Sequence, residues 1–166
     1  AGISLVSAQA GIEVVLIDQT QEAADRGKSY TASFADKGIA RKKTTPEKKE
    51  ALLSLITATT DLEALKGCDL IIEAVFEDPK VKAEMTGKVE AVIPSDCIFA
   101  SNTSTLPITE LAKASSRPDQ FIGIHFFSPV EKMLLVEIIK GKGTGDRAVA
   151  KALDYVRQIR KTPIVV

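Results

Sequence analysis

The sequence has one histidine, two cysteines and no excess of either charge, and each scarcity narrows what the protein can do. With a single imidazole, acid–base work near neutral pH has one obvious candidate, His125. Cys68 and Cys97 stand apart, with no CxxC and no Cys/His cluster around either. That excludes a zinc pattern and a disulfide framework, and it reads as two buried structural thiols in a reducing compartment. No metal site is expected. Lys+Arg and Asp+Glu each number 22, so no sign excess points to nucleic acid or to an anionic membrane surface. The longest apolar runs are well short of a bilayer span, and the first residues lack the basic start and apolar core of a signal peptide. No membrane span is expected, and the chain reads as soluble. An initiator Met is also lacking: the sequence opens on Ala1-Gly2-Ile3-Ser4-Leu5-Val6-Ser7-Ala8-Gln9, which reads as the inside of a helix. The expectation is that residues upstream are missing.

What is present is enough for one domain with a core: 166 residues, 45% apolar and 27% charged. Residues 3–10 read as a helix stopped by Gly11, and Glu13-Val14-Val15-Leu16-Ile17 as a buried strand ending at Asp18. The stretch 20–43 is polar and helix-compatible. Thr45-Pro46-Glu47 restarts a helix that carries Leu52, Leu53, Leu55 and Ile56, so residues 20–60 predict an antiparallel helical hairpin. A second strand follows at 69–75. Asp78-Pro79 then supplies an N-cap and a first-turn proline for a helix with Val81, Met85, Val89 and Val92 on one face. Residues 97–101 predict a third strand, 107–114 a short helix, 121–125 a fourth strand and 134–140 a fifth. Gly145-Asp146 opens a helix with Val149, Leu153, Val156 and Ile159 on one face, and 164–166 begin another strand. Strands alternating with helices, and strands that are nearly continuous in apolar character, predict an α/β fold with a mainly parallel sheet covered by helices on both faces.

Chemistry-bearing residues collect at the ends of these strands. Asp18 stands where open parallel sheets bind ligands, and it suits the hydroxyls of an adenosine ribose; an acid that only caps the next segment explains it equally well. Gln19 follows with no Arg directly beside it, which favours a ribose 2′-hydroxyl over a 2′-phosphate. Glu73-Ala74-Val75-Phe76-Glu77-Asp78 is a second strand end. Ala74 would let a ligand approach the backbone and Lys82 would reach a phosphate or ribose, although Glu77 and Lys82 also read as solvated helix-end charges. Ser101-Asn102-Thr103-Ser104-Thr105 is rich in hydroxyl and amide groups that orient ligands, and equally able to turn a chain and cap a helix. His125 ends the fourth strand. Alone it reads as a core histidine, but Glu137 lies twelve residues on, and a strand–turn–strand path would bring its carboxylate beside the imidazole.

Val15-Leu16-Ile17-Asp18, the run 69–78, Ser101-Asn102-Thr103-Ser104 and His125-Phe126-Phe127-Ser128-Pro129 together resemble the L-3-hydroxyacyl-CoA dehydrogenase family across essentially the whole chain. Within it the pattern is most like the dehydrogenase part of the bacterial multifunctional fatty acid oxidation proteins. The resemblance implies a Rossmann-like, doubly wound fold with a helical hairpin insertion. It implies that residues 1–166 are the NAD-binding domain, truncated at its N-terminus, so that the first strand and glycine-rich turn are missing and the C-terminal helical domain is absent. A chain limited to these residues is then expected to bind NAD weakly and turn over poorly.

By the same resemblance the enzyme oxidises (S)-3-hydroxyacyl-CoA to 3-oxoacyl-CoA with NAD in fatty acid β-oxidation. His125 is its general base, Glu137 the partner of that base, and Ser104 the contact to substrate oxygen and cofactor. Asp18, Gln19, Ala74, Val75, Glu77, Lys82, Asn102, Ser104 and Ser128 are the implied cofactor contacts, Ser128 standing where the family often has asparagine. Ser33, Lys37, Arg41, Lys42 and Lys43 of the hairpin are candidates for the phosphates of coenzyme A, or form a solvated basic face. The implied partners are the acyl-CoA substrate, the helical domain of the full-length chain and further subunits of an oligomer. The implied location is bacterial cytoplasm, or the mitochondrial or peroxisomal matrix in a eukaryote. Two other readings stay open: a dinucleotide-binding module without catalysis, which needs neither His125 nor Glu137, and a dehydrogenase of another hydroxyacid on the same fold.

Overall fold

The computed structural model describes all 166 residues and divides into two compact units, Ala1–Ala64 with Ser128–Lys132, and Leu65–Phe127 with Met133–Val166. In the first unit, helix α1 (Gly2–Gln9) leads into strand β1 (Val14–Ile17), and the helices α2 (Gln21–Ala40) and α3 (Pro46–Ser54) lead into strand β2 (Ile56–Thr59). Both hairpin helices start as the sequence predicts. Thr20 accepts from the Ala23 N–H at 3.1 Å and Thr45 from the Lys48 N–H at 3.3 Å, each satisfying a donor that the first helical turn leaves unpaired. Lys49 Nζ bonds Asp36 Oδ1 at 2.7 Å, tying α3 to α2. Gly27 lets α2 lie close on β1, since a β-carbon there would come within 2.6 Å of Leu16 Cδ2.

Strand β2 is a correction, because the sequence reading carried the helix through Ile56. It pairs in parallel with β1, from Val14 opposite Ile56 to Ile17 opposite Thr59, so the hairpin is the crossover between them. The run Leu52–Ile56 looks helical because four of its five side chains are apolar; a ladder partner 42 positions earlier in the chain is what draws Ile56 into a strand.

The second unit holds β3 (Leu70–Glu73), α4 (Pro79–Glu90), β4 (Ile98–Ser101), α5 (Ile108–Leu111), β5 (Phe121–Phe126), β6 (Leu135–Ile139), α6 (Asp146–Gln158) and β7 (Thr162–Val165). Its strands lie in the order β3-β4-β5-β6-β7, parallel throughout except for β5 against β6. The core rests on Phe99 of β4 stacked on Phe121 of β5, ring centroids 5.4 Å apart, with Phe126 meeting Tyr155 of α6 edge to face. Helix α6 buries Ala148, Ala152, Tyr155 and Val156, a face turned from the predicted one because alanines permit the closest approach.

These parallel crossovers make a Rossmann-like α/β fold, with its hydrogen-bonded strands in two sheets, β1-β2 and β3 to β7. Residues 60–69 between β2 and β3 contain a 3-10 turn, Leu62–Gly67. No helix is long and apolar enough to cross a membrane.

Candidate active site

Because β5 and β6 run antiparallel, His125 stands directly opposite Glu137 in the ladder. Side chains so opposed have β-carbons about 4.5–5.5 Å apart, within easy reach of an imidazole and a carboxylate. His125 Nδ1 lies 2.8 Å from Glu137 Oε1. An ionised carboxylate only accepts, so the proton of the neutral ring sits on Nδ1 and the lone pair on Nε2. The His125 side chain is 15% exposed and that of Glu137 33%, enough for the ring to be both held and reached. Phe127 packs on the imidazole at a centroid distance of 4.7 Å.

Asn102 follows the end of β4 and is tied to both neighbouring strands. Its N–H donates to the Glu73 carbonyl at 2.8 Å, and its Oδ1 accepts from the Phe126 N–H at 3.0 Å. The side chain therefore fixes the backbone next to His125, and its amide NH2 is its remaining side-chain donor. Thr103 is buried; its hydroxyl donates to Glu77 Oε1 and accepts from the Leu106 N–H. Ser104 is exposed at the loop tip. The Glu77 side chain, 37% exposed, also accepts from Thr105 at 3.3 Å and lies 3.4 Å from the Lys82 ammonium. Burial would raise its carboxyl, but the Thr103 hydroxyl and the Lys82 charge outweigh that and hold it below the usual carboxylate range. Ala74 is exposed and Val75 half-buried, with the Val75 N–H donating to Glu73 Oε1 at 2.8 Å.

Lys82 is a correction to the reading of a solvated helix-end charge. Its side chain is 1% exposed, and its ammonium reaches Glu73 Oε1 at 2.8 Å, the Asn102 carbonyl at 3.3 Å and Glu77 Oε2 at 3.4 Å. It is not a solvated charge. Helix α4 is rotated to match: Lys82, Thr86 and Val89 face inward and Val81 outward, not the predicted stripe from Val81. The polar pair sits inside because Glu73, in phase with Ile71 on β3, needs a cation there and Thr86 finds the Lys82 carbonyl at 2.8 Å. Glu73, Ser101 and Thr103 were not singled out individually as site residues from the sequence. An acid at an inward strand position followed nine residues later by a lysine on a helix was the signal available.

In the first unit, Asp18 and Gln19 are exposed just beyond β1, with Asp18 Oδ1 accepting the Gln19 N–H at 2.7 Å. Asp18 thus stands on the two-stranded sheet, not on the sheet that bears His125. Ser128 is exposed at the head of the 128–132 segment, which Glu131 anchors by accepting from Tyr30 of α2. The thiols differ from one another. Cys97 is buried as predicted, and burial pushes its pKa up to about 12; Cys68 is only half-buried.

In the second unit the exposed Glu77 carboxylate, the Ser104 hydroxyl and the Asn102 amide offer donors and acceptors of the kind that hold hydroxyls and a carboxamide, and in the first unit the Asp18 carboxylate offers an acceptor at a strand end. Fold and strand-end chemistry together define the cofactor domain of a dehydrogenase. The family model for the NAD binding domain of 3-hydroxyacyl-CoA dehydrogenase matches residues 1–166, and the chain belongs to that family, whose cofactor is NAD. It is 46% identical over 165 residues to the fatty acid oxidation complex subunit alpha of Idiomarina loihiensis, covering 99% of this chain and 23% of that protein. The crystal structure of (S)-3-hydroxybutyryl-CoA dehydrogenase from Ralstonia eutropha superposes with a TM-score of 0.96 at 38% identity, over 99% of this chain and 58% of that one. For 3-hydroxybutyryl-CoA dehydrogenase from Escherichia coli K12 the TM-score is 0.94 at 32% identity, over 99% and 35%. The chain thus spans about a quarter of the curated relative and a third to three-fifths of these two structures.

Proposed function

We propose that this chain is the cofactor-binding part of an enzyme that oxidises (S)-3-hydroxyacyl-CoA to 3-oxoacyl-CoA in bacterial fatty acid β-oxidation, with His125 as general base. The observation that carries the reading is the 2.8 Å pair of His125 Nδ1 and Glu137 Oε1, held by strand register at a reachable sheet edge. NAD, when bound, supplies the acceptor for the hydrogen that leaves C3 with its bonding electrons. The proton is the task of the chain itself. His125 Nε2 accepts it from the 3-hydroxyl as the C3–O bond becomes a carbonyl, and the Glu137 carboxylate stabilises the imidazolium that results. Ser104 is assigned to the substrate oxygen and the cofactor, Asn102 to the nicotinamide end, and Asp18 with Gln19 to the adenosine ribose. Ala74, Val75, Glu77 and Ser128 are assigned to further cofactor contacts, with Lys82 acting through Glu77.

For the coenzyme A moiety we assign the basic cleft of the first unit. It has a volume of about 580 Å³ and is lined by Lys37, Arg41, Lys43, Lys48, Lys49 and Lys132 among others. Of the five candidates from the sequence, Lys37, Arg41 and Lys43 line it and Ser33 and Lys42 do not. Lys48, Lys49 and Lys132 join them through folding, a cation density suited to phosphates. The proposed setting is a longer cytoplasmic chain with a C-terminal helical domain, assembled as an oligomer.

The test is His125→Gln in the full-length protein. A general base contributes about 10²–10⁴-fold, so turnover should fall by that factor while NADH affinity is retained. An unchanged rate would remove His125 from the mechanism.

A further inference from the structure

We infer that Glu73 is a positioning residue for the cofactor site: its buried carboxylate fixes the loop after β3, the Lys82 ammonium and the end of β4 in one arrangement. The Glu73 side chain is 2% exposed. A carboxylate taken out of water is strongly disfavoured unless its lone pairs are used, and here they are. Oε1 accepts from the Val75 N–H at 2.8 Å and from Lys82 Nζ at 2.8 Å, and Oε2 accepts from Ser101 Oγ at 2.7 Å. Each donor belongs to a different element: the loop 74–78, helix α4 and strand β4.

From Lys82 the chain of contacts continues to Glu77 Oε2 and to the Asn102 carbonyl. Asn102 Oδ1 in turn receives the N–H of Phe126, the neighbour of His125. One carboxylate therefore underlies both Glu77, on the cofactor side, and the strand end that carries the base. Stability alone does not account for the arrangement. A buried ion pair is often no more stabilising than well-packed hydrocarbon of the same volume, whereas it does impose direction on its partners. Glu73 needs no contact with cofactor or substrate for this role.

The inference rests on the dehydrogenase reading, and the experiment separates the two. NADH binding is measured by fluorescence titration in the full-length protein, alongside KM for each substrate and the melting temperature. Glutamine at position 73 keeps the shape but offers a single acceptor oxygen and no charge. Glu73→Gln should weaken NADH binding about tenfold or more and raise KM for NAD in step, because the loop 74–78 and Lys82 lose the charged hydrogen bonds that fix them. KM for the acyl-CoA should stay within about twofold, because the coenzyme A cleft makes none of these bonds. The double variant Glu73→Gln/Lys82→Met also removes the buried ammonium, which in the single variant keeps only Glu77 and the Asn102 carbonyl as charged or carbonyl partners. It should regain melting temperature without regaining NADH affinity, and it carries the test if the single variant fails to fold. NADH affinity equal to wild type in Glu73→Gln, or affinity that returns together with melting temperature in the double variant, would make Glu73 merely structural and overturn the inference. A wild-type protein that binds no NADH would instead overturn the reading of the site, and His125→Gln reports on the mechanism independently.

Discussion

Gly123 lies two residues before His125 on β5, and filling it is the most direct test of how the strand pair holds the site. A β-carbon there would meet Ile108 Cδ1 at 2.7 Å, Ile108 Cγ1 at 2.8 Å and Ile139 Cβ at 2.9 Å. Carbon atoms in contact normally sit about 3.5–4.0 Å apart, so each approach is short by about an ångström. Ile108 can swing its tip aside. Ile139 cannot, because its Cβ is fixed to β6 directly opposite Gly123 in the ladder. We expect Gly123→Ala to cost about 1–3 kcal/mol through overpacking, read as a lower midpoint in urea at an unchanged slope. At about 2–4 °C per kcal/mol for a chain of this length, the melting temperature should fall visibly as well. The strain falls on the register that sets His125 against Glu137, so turnover in the full-length enzyme should drop further than NADH affinity. A cycle with Ile108→Ala isolates the cause. Ile108 is buried, and its truncation alone should cost about 2–5 kcal/mol. In the Gly123→Ala background the added methyl fills part of that cavity, and the two losses should be less than additive by about 0.5 kcal/mol or more. Strict additivity, or a single variant as stable as wild type, would refute the packing argument.

Two further predictions concern the thiols and the helix ends. Burial, with its thiol pushed up to about 12, should keep Cys97 protonated and unreactive in the folded chain. Iodoacetamide labelling at pH 8 followed by peptide mass mapping should find Cys97 modified only after unfolding, and a native adduct there would contradict its placement. Arg160 follows α6 with φ of +61°, where the Lys161 N–H bonds the Val156 carbonyl at 3.1 Å and the Arg160 N–H bonds that of Arg157 at 2.9 Å. This is a Schellman ending with arginine in the position that favours glycine. Arg160→Gly should therefore raise stability by about 1 kcal/mol in urea titration, and a loss would show that the Arg160 side chain matters more than its backbone strain.

The same helix ending shows where sequence reading worked and where it did not. Gly11 (φ +82°), Lys42 (φ +58°) and Arg160 all occupy this position after α1, α2 and α6, yet only the glycine announces it. Strands β1, β3, β4 and β5 were legible because apolar runs bounded by polar residues need no partner to be recognised. Strand β2 was not, since only Ile56 of its four residues is buried and its pairing with β1 is non-local. Asp18, Asn102 and His125 could be placed at strand ends, and Glu137 within the strand that follows, from pattern alone. The His125–Glu137 contact required β6 to turn antiparallel, which spacing allowed but did not dictate. Lys82 was legible as a residue in the first turns of the helix after β3 but not as a buried one. Burial of a lysine depends on a carboxylate nine residues away in sequence, and hydrophobic periodicity treats both as surface.

That burial also bears on how the site manages charge. Glu73, Glu77 and Lys82 carry two negative charges and one positive, and the fold encloses Glu73 with Lys82 while leaving Glu77 at the surface. The uncompensated charge of the cluster therefore sits on the member that faces solvent. The Thr103 hydroxyl and the Lys82 charge overcome the effect of burial and hold the Glu77 carboxyl below the usual carboxylate range, so it stays ionised through the physiological pH range and stays an acceptor. A carboxylate free to protonate would exchange an acceptor site for a donor at low pH and lose its charge. Burying the lysine, rather than presenting it to solvent, keeps the cation close enough to fix Glu77 without offering a competing partner to an anionic ligand. On this argument the inward turn of Lys82 is what lets an acidic residue remain the group that the loop displays.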